Sequence, residues 1–267
     1  MSERIKKTTL NDQVLAEQDE DGIVVVTLNK PERRNAYSME VKQGLIALLP
    51  ELMDDPNCRA IVLTGAGGNF SAGGDVSQMR DRSIIEMRRF MEVSHDIVLQ
   101  ITRGPKPVIA AVEGLAFGAG LSLACASDYV VAASNARFCA VFMRIGILPD
   151  VGLRWTLTRR VGPGKAQELI TLTDEVGGAE AERIGIANKI CEPGAAVEVA
   201  VQMAKRFVDI PPIAFALNKA AYFDGAASLS ATIQSELAYQ PILKLTNDHR
   251  EAVNAFREKR KAIFTGT

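Results

Sequence analysis

The sequence predicts an α/β fold that passes into a helical C-terminal region. Three observations predict it. Apolar runs of strand length at Ile23–Leu28, 60–64 and Val108–Val112 alternate with stretches of helical spacing. Two of these runs feed turns built from small residues. From residue 197 onward the apolar spacing is helical almost throughout.

Taken in order, the strand at Ile23–Leu28 is closed by Asn29, Lys30 and Pro31. Leu45, Leu48, Leu49 and Leu52 then recur at helical spacing, and Pro50 inside that pattern predicts a kink or a boundary. The strand at 60–64 runs into Gly65-Ala66-Gly67-Gly68, and Phe70-Ser71-Ala72-Gly73-Gly74-Asp75 is a second small-residue turn. A long helix is expected over 83–102. The strand Val108–Val112 turns at Gly114, reaches Gly118-Ala119-Gly120, and becomes helical through Leu121, Leu123, Ala124 and Cys125. Strands follow at 129–132 and 140–145. Beyond Pro149 the pattern gives short helices at 166–170 and 179–184, a last strand at 186–190, and helices at 197–208, 213–223, 228–245 and 249–262. No low-complexity linker divides the chain, so a core over 1–196 is expected to pack directly against a helical region over 197–267.

The 267 residues suffice for one large domain, and 47% hydrophobic residues allow a sizeable core. A net charge of −1 with no basic stripe argues against nucleic acid as a partner. Cys58, Cys125, Cys139 and Cys191 lie far apart and form no CxxC pair; with two histidines in the chain, no metal site is expected. Most of these cysteines have apolar neighbours and read as reduced thiols, so a cytoplasmic setting is expected. No export signal is read at the N-terminus, and no run approaches the ~18 apolar residues of a membrane span.

A strand, a glycine turn and a helix in succession leave backbone N–H groups unpaired at the helix start. Those donors suit an oxygen that gains negative charge. Two such turns, at 70–75 and 117–120, can aim one N–H each at a single atom. That is an oxyanion hole, in which each donor is worth roughly 2.7–4 kcal/mol. Turns packed for compactness alone have the same composition, and the residues do not distinguish the two.

Longer motifs add to this. LNKPERRNAYS at 28–38, RAIVLTGAGGNFSAGGD at 59–75, KPVIAAVEGLAFGAG at 106–120, ASDYVVAASNARF at 126–138 and IGILPDVG at 145–152 occur in that order. RRVGPGKAQEL at 159–169 and AFREKRKAIFTG at 255–266 extend them. Together they resemble the crotonase (enoyl-CoA hydratase/isomerase) superfamily over nearly the whole chain. The resemblance implies a spiral of ββα repeats, a C-terminal helical trimerisation region, homotrimers often paired into hexamers, and acyl-CoA thioester substrates. Coenzyme A would be part of the substrate rather than a separate cofactor. The oxyanion donors map to Ala72 and Ala119. The segments that cradle CoA map to Asn35 and Ala36 with the loop of Gly73, Gly74, Asp75 and Val76, and to Gly118. Arg33 and Arg34 read equally as contacts to CoA phosphates or as a solvated turn, and Lys261 and Phe264 match positions that touch CoA, sometimes from a neighbouring subunit. The acyl end would be lined by 76–92 and the tail.

Two departures bear on the reaction. Hydratases of the family use two glutamates, and the matching residues here are Ser122 and Phe142, neither of them a base. Asp150 remains, flanked by apolar residues that would raise its pKa; a helix-capping turn aspartate is the alternative reading. An aspartate at this position is the base in dienoyl-CoA isomerases and in the ring-1,2-epoxyphenylacetyl-CoA isomerase group, which the chain resembles most. The implied activity is therefore an acyl-CoA isomerase. Alternatives are a hydratase using Asp150 alone, or a dehalogenase or thioesterase with Asp150 as nucleophile and His95 beside it. A non-enzymatic acyl-CoA or RNA binder completes the set. Glu113, Trp155 and His249 read as structural or exposed.

Overall fold

The computed structural model describes residues 5–7, 9–78, 83–225 and 228–267. Its centre is a seven-stranded sheet. Strands β1 (Ile5–Lys7), β2 (Val14–Gln18) and β3 (Ile23–Leu28) pair antiparallel. From β3 the sheet continues in parallel through β4 (Ala60–Gly65), β5 (Val108–Val112), β7 (Tyr129–Ala133) and β10 (Lys189–Cys191). A small second sheet joins β6 (Leu115–Phe117), β8 (Arg137–Cys139) and β9 (Val176–Gly177).

Strands β3, β4, β5 and β7 are buried on both faces, which explains their continuous apolar runs, whereas β10 at the edge is not. On one face lies the larger core, to which α1 (Met39–Asp54), α2 (Ile84–Arg103) and α3 (Ala119–Ala126) contribute. The other face is closed by α7 (Ala196–Val208), whose Ala196, Ala200, Val201 and Ala204 meet Ile23, Val25, Val62, Ile109 and Val131. Around the rim run α4 (Leu153–Val161), α5 (Pro163–Leu172) and α6 (Gly178–Ile184). The chain ends in α8 (Pro212–Gly225), α9 (Leu229–Leu243) and α10 (Asn247–Glu258).

Several expectations need correction. A boundary at 196/197 cuts off α7, yet α7 is half of the sheet's covering, so the packed core extends through it. Residues 141–145 form a 3-10 turn rather than a strand. Strands β1, β2, β6, β8 and β9 escaped sequence reading because they are short or alternate weakly. Pro50 lies within α1 and does not end it. The last helix stops at Glu258, where Lys259 takes a left-handed conformation.

Candidate active site

The two small-residue turns meet at the carboxyl ends of β4 and β5, the edge where open α/β sheets bind ligands. The loop after β4 is zipped to β6: Ser71 N–H donates to Leu115 O at 2.8 Å, and Phe117 N–H donates to Ser71 O at 3.0 Å. At Gly73, φ is +95° and an added Cβ would lie 2.8 Å from Phe117 O. At Gly118, φ is +50° and an added Cβ would lie 3.7 Å from Gly73 Cα. Both backbones are left-handed, which favours glycine, and at Gly73 the approach of Phe117 O also leaves no room for a side chain. The convergence that composition could not establish is therefore present.

The free donors differ in part from those expected. Ala119 is the first residue of α3, and its N–H has no acceptor among the described residues. Ala72 N–H, in contrast, already donates to Arg34 O at 2.9 Å. Gly73 N–H donates to Ser71 Oγ at 3.2 Å. Gly74 N–H, next in the turn, has no acceptor among the described residues. Ala72 is therefore not a free donor here, whereas Gly74 is. The sequence held Gly74 as a CoA contact, but nothing in it shows which amide the fold consumes.

Asn35 is fully buried and fully used inside the protein. Its Nδ2 donates to Ala66 O at 2.8 Å and to Asn69 O at 2.6 Å, and its Oδ1 accepts from Lys30 N–H at 2.9 Å. It shapes the cradle and offers its side chain to no ligand, which corrects its reading as a CoA contact. Arg33 and Arg34 are exposed beside it, and Ala36 is buried. Asp75 accepts from Ser77 N–H at 3.0 Å and lies 3.9 Å from Lys30 Nζ, so it shapes the turn into the exposed Val76. Of the acyl-end loop 76–92, residues 79–82 lie outside the described residues.

Of the two hydratase glutamate positions, Ser122 is tied to the Asp150 loop and Phe142 packs toward Gly118. Ser122 Oγ lies 3.2 Å from Gly118 O and 3.1 Å from Asp150 O, sharing one proton between them. Phe142 is buried, and its Cζ would lie 3.9 Å from a Cβ on Gly118. Between them the loop runs through Val151 at φ +50° and Gly152 at φ +73°. A β-branched residue is uncommon in that region and marks a constrained backbone.

Asp150 itself is half-buried, and its Oδ1 is buried without a hydrogen-bond partner among the described residues. Its side chain caps no helix: the N-cap of α4 is Gly152, which makes no side-chain cap bond. Burial raises the Asp150 pKa above the ordinary carboxyl value, opposed by the Lys42 charge, its own backbone N–H and His95. His95 stands exposed on α2 and acts on Asp150 only through its charge. Ser94, one residue earlier on α2, is buried, and Val98 would touch a Cβ on Gly152 at 3.5 Å.

Three neighbours were not singled out from sequence. Tyr37 is buried, and Lys42 Nζ lies 5.0 Å from its ring centroid and 3.5 Å from that of Phe90. Ser94 completes the group beside Tyr37. A signal for Lys42 was legible, since it interrupts the apolar stripe Val41, Leu45, Leu48 and Leu52 of α1. Lys261 and Phe264 are not brought to this edge. Lys261 is exposed and pairs with Asp209 at 2.9 Å, while the adjoining Thr265 and Gly266 line a cavity with Pro105 and Pro107, at the opposite end of β5. Glu113 accepts from Gly194 N–H and Ala196 N–H, both at 3.0 Å, and so ties the end of β5 to the start of α7.

Comparison with known proteins fits this arrangement. The family model described as enoyl-CoA hydratase/isomerase matches residues 18–267. The chain belongs to the enoyl-CoA hydratase/isomerase family. Within the family it is 35% identical to the short-chain-enoyl-CoA hydratase of Clostridium acetobutylicum, covering 94% of this chain and 97% of that one. It is 33% identical to the 1,2-epoxyphenylacetyl-CoA isomerase of Escherichia coli, covering 92% and 96%. A solved structure of a putative enoyl-CoA hydratase from Streptomyces coelicolor superposes with a TM-score of 0.90 at 35% identity, covering 98% and 97%. Crotonase-superfamily membership and the mixed α/β crotonase fold, both implied by the motifs, are thereby shown. No described helix is long and apolar enough to cross a membrane.

Proposed function

We propose that this member of the family is an acyl-CoA isomerase in which one aspartate moves a proton along the acyl chain. The observation that carries the reading is the buried, unpartnered Oδ1 of Asp150, in a loop bonded through Ser122 to the first turn of α3. The thioester carbonyl accepts hydrogen bonds from Gly74 N–H and Ala119 N–H. That stabilises an enolate and acidifies the adjacent C–H. Asp150, ionised, takes the proton from one carbon and returns it to another, so a double bond moves or a strained ring opens with no net change in mass. Low solvation both raises its pKa and strengthens it as a base toward carbon.

Coenzyme A enters with the substrate. The exposed Arg33 and Arg34 meet its phosphates at the lip of the cradle. Lys261 and Phe264 touch it only across a subunit boundary. The trimer or hexamer this requires is supported by α9, which buries none of its residues and exposes Leu229, Leu237 and Ile242. The proposed setting is the cytoplasm.

A second reading has a specific support: most of the named relatives are hydratases, the Clostridium enzyme among them. In it Asp150 alone activates a water. The dehalogenase reading loses ground because His95 faces solvent. One experiment separates the readings. A panel of acyl-CoA thioesters is incubated with the protein and followed by mass and ultraviolet absorbance. Unchanged mass with altered absorbance is the expected result, and crotonyl-CoA is hydrated slowly or not at all. A gain of one water at an ordinary enzymatic rate replaces the isomerase with the hydratase.

A further inference from the structure

Two buried side-chain oxygens at this edge have no hydrogen bond among the described residues, Asp150 Oδ1 and Tyr37 Oη. Proton transfer to and from carbon accounts for the first. It does not account for the second.

Tyr37 is 4% exposed and held at both ends. Its N–H donates to Gly73 O at 2.7 Å, so its main chain is part of the turn that presents Gly74. Its ring lies under the Lys42 ammonium. The hydroxyl sits within the field of Asp150, and burial raises its pKa, so it is a donor and not an anion at any physiological pH. Ser94 opposes the shift as a side-chain hydrogen-bonding neighbour, but within ordinary distance and angle Tyr37 Oη has no partner among the described residues. A buried donor without an acceptor destabilises a protein relative to phenylalanine at the same place. Such a group is explained when a ligand brings the acceptor.

We propose that Tyr37 is a specificity-determining residue whose hydroxyl donates a hydrogen bond to an oxygen carried by the acyl chain beside Asp150. The substrate class is then an oxygen-bearing acyl-CoA rather than a plain hydrocarbon thioester. This rests on the acyl-CoA reading of the site but not on the isomerase chemistry. A ligand oxygen that accepts this bond binds more tightly than an analogue without one, because the tyrosine is unpaired both in the free protein and beside the analogue.

The test is binding rather than turnover. Dissociation constants of butyryl-CoA, 3-hydroxybutyryl-CoA and 4-hydroxybutyryl-CoA are measured by calorimetry on the full chain and on Tyr37→Phe, with recovered ligand checked for intact mass. The protein should bind at least one hydroxylated thioester about tenfold tighter than butyryl-CoA. Tyr37→Phe, which keeps the ring under Lys42, should bring the ratio to about one and leave the butyryl-CoA constant unchanged. Equal binding of all three by the unmodified protein overturns the proposal alone. A ratio that survives Tyr37→Phe also overturns it. Failure of all three thioesters to bind overturns the acyl-CoA reading and the proposal together.

Discussion

Asp128 and Asp150 are two carboxylates taken out of water, at opposite ends of the parallel strands. Burial pushes the pKa of both upward. At the amino end, Asp128 Oδ2 accepts from Lys219 Nζ at 2.6 Å and from Val108 N–H at 2.8 Å. Lys219 on α8 is itself buried, and burial pushes it down while each partner holds the other charged. At the carboxyl end, Asp150 keeps one oxygen unbonded; apart from its own backbone N–H, it is answered by the Lys42 and His95 charges. A satisfied carboxylate fastens the helical region to the core. An unsatisfied one stores reactivity.

The sharpest way to break this contrast is to neutralise each carboxylate. Asp150→Asn should lower turnover by about 10²–10⁴-fold with acyl-CoA binding retained, measured by steady-state rates beside calorimetry. Near-normal turnover would remove Asp150 from the mechanism. Asp128→Asn should do the reverse. It leaves Lys219 buried and uncompensated, so denaturant unfolding should show a loss of about 3–5 kcal/mol, with the rate per folded molecule little changed.

Gly73→Ala probes the geometry between the turns. Its Cβ would meet Phe117 O at a left-handed φ, forcing the turns apart. Turnover should fall about 10²–10³-fold, the loss expected for one oxyanion donor. A smaller, opposite effect concerns stability. Because the folded-state pKa of Asp150 is raised, the folded state holds its proton to higher pH than the unfolded chain. Ionisation therefore destabilises the fold above both values, and the penalty disappears below the unfolded carboxyl pKa. Asp150→Asn should raise Tm at neutral pH and leave it unchanged at acid pH, in paired thermal melts.

The same contrast shows what was legible in the residues. The parallel strands were readable because both faces are apolar, and the glycine turns because few other residues fit them. Asp150 stood out once Ser122 and Phe142 were seen to lack a base. The state of each amide was not readable, since Ala72 loses its donor to Arg34 only when residues far apart in sequence meet. Nor was the Tyr37–Lys42–Asp150 group, because Asp150 joins the other two from a distant segment only in the fold. Asp128 reads like any acidic residue until α8 folds back over it.

Asn35 carries a consequence for anyone who would redesign the acyl pocket. Its two amide protons and its carbonyl oxygen are all committed to main-chain atoms of two loops, at a left-handed φ of +53°. Aspartate would bring oxygen where two donors are required, glutamine would overreach, and glycine would span neither gap. Libraries that vary the pocket walls should hold this one letter constant, because variants that change it would be lost to misshapen scaffolds before their selectivity could be scored.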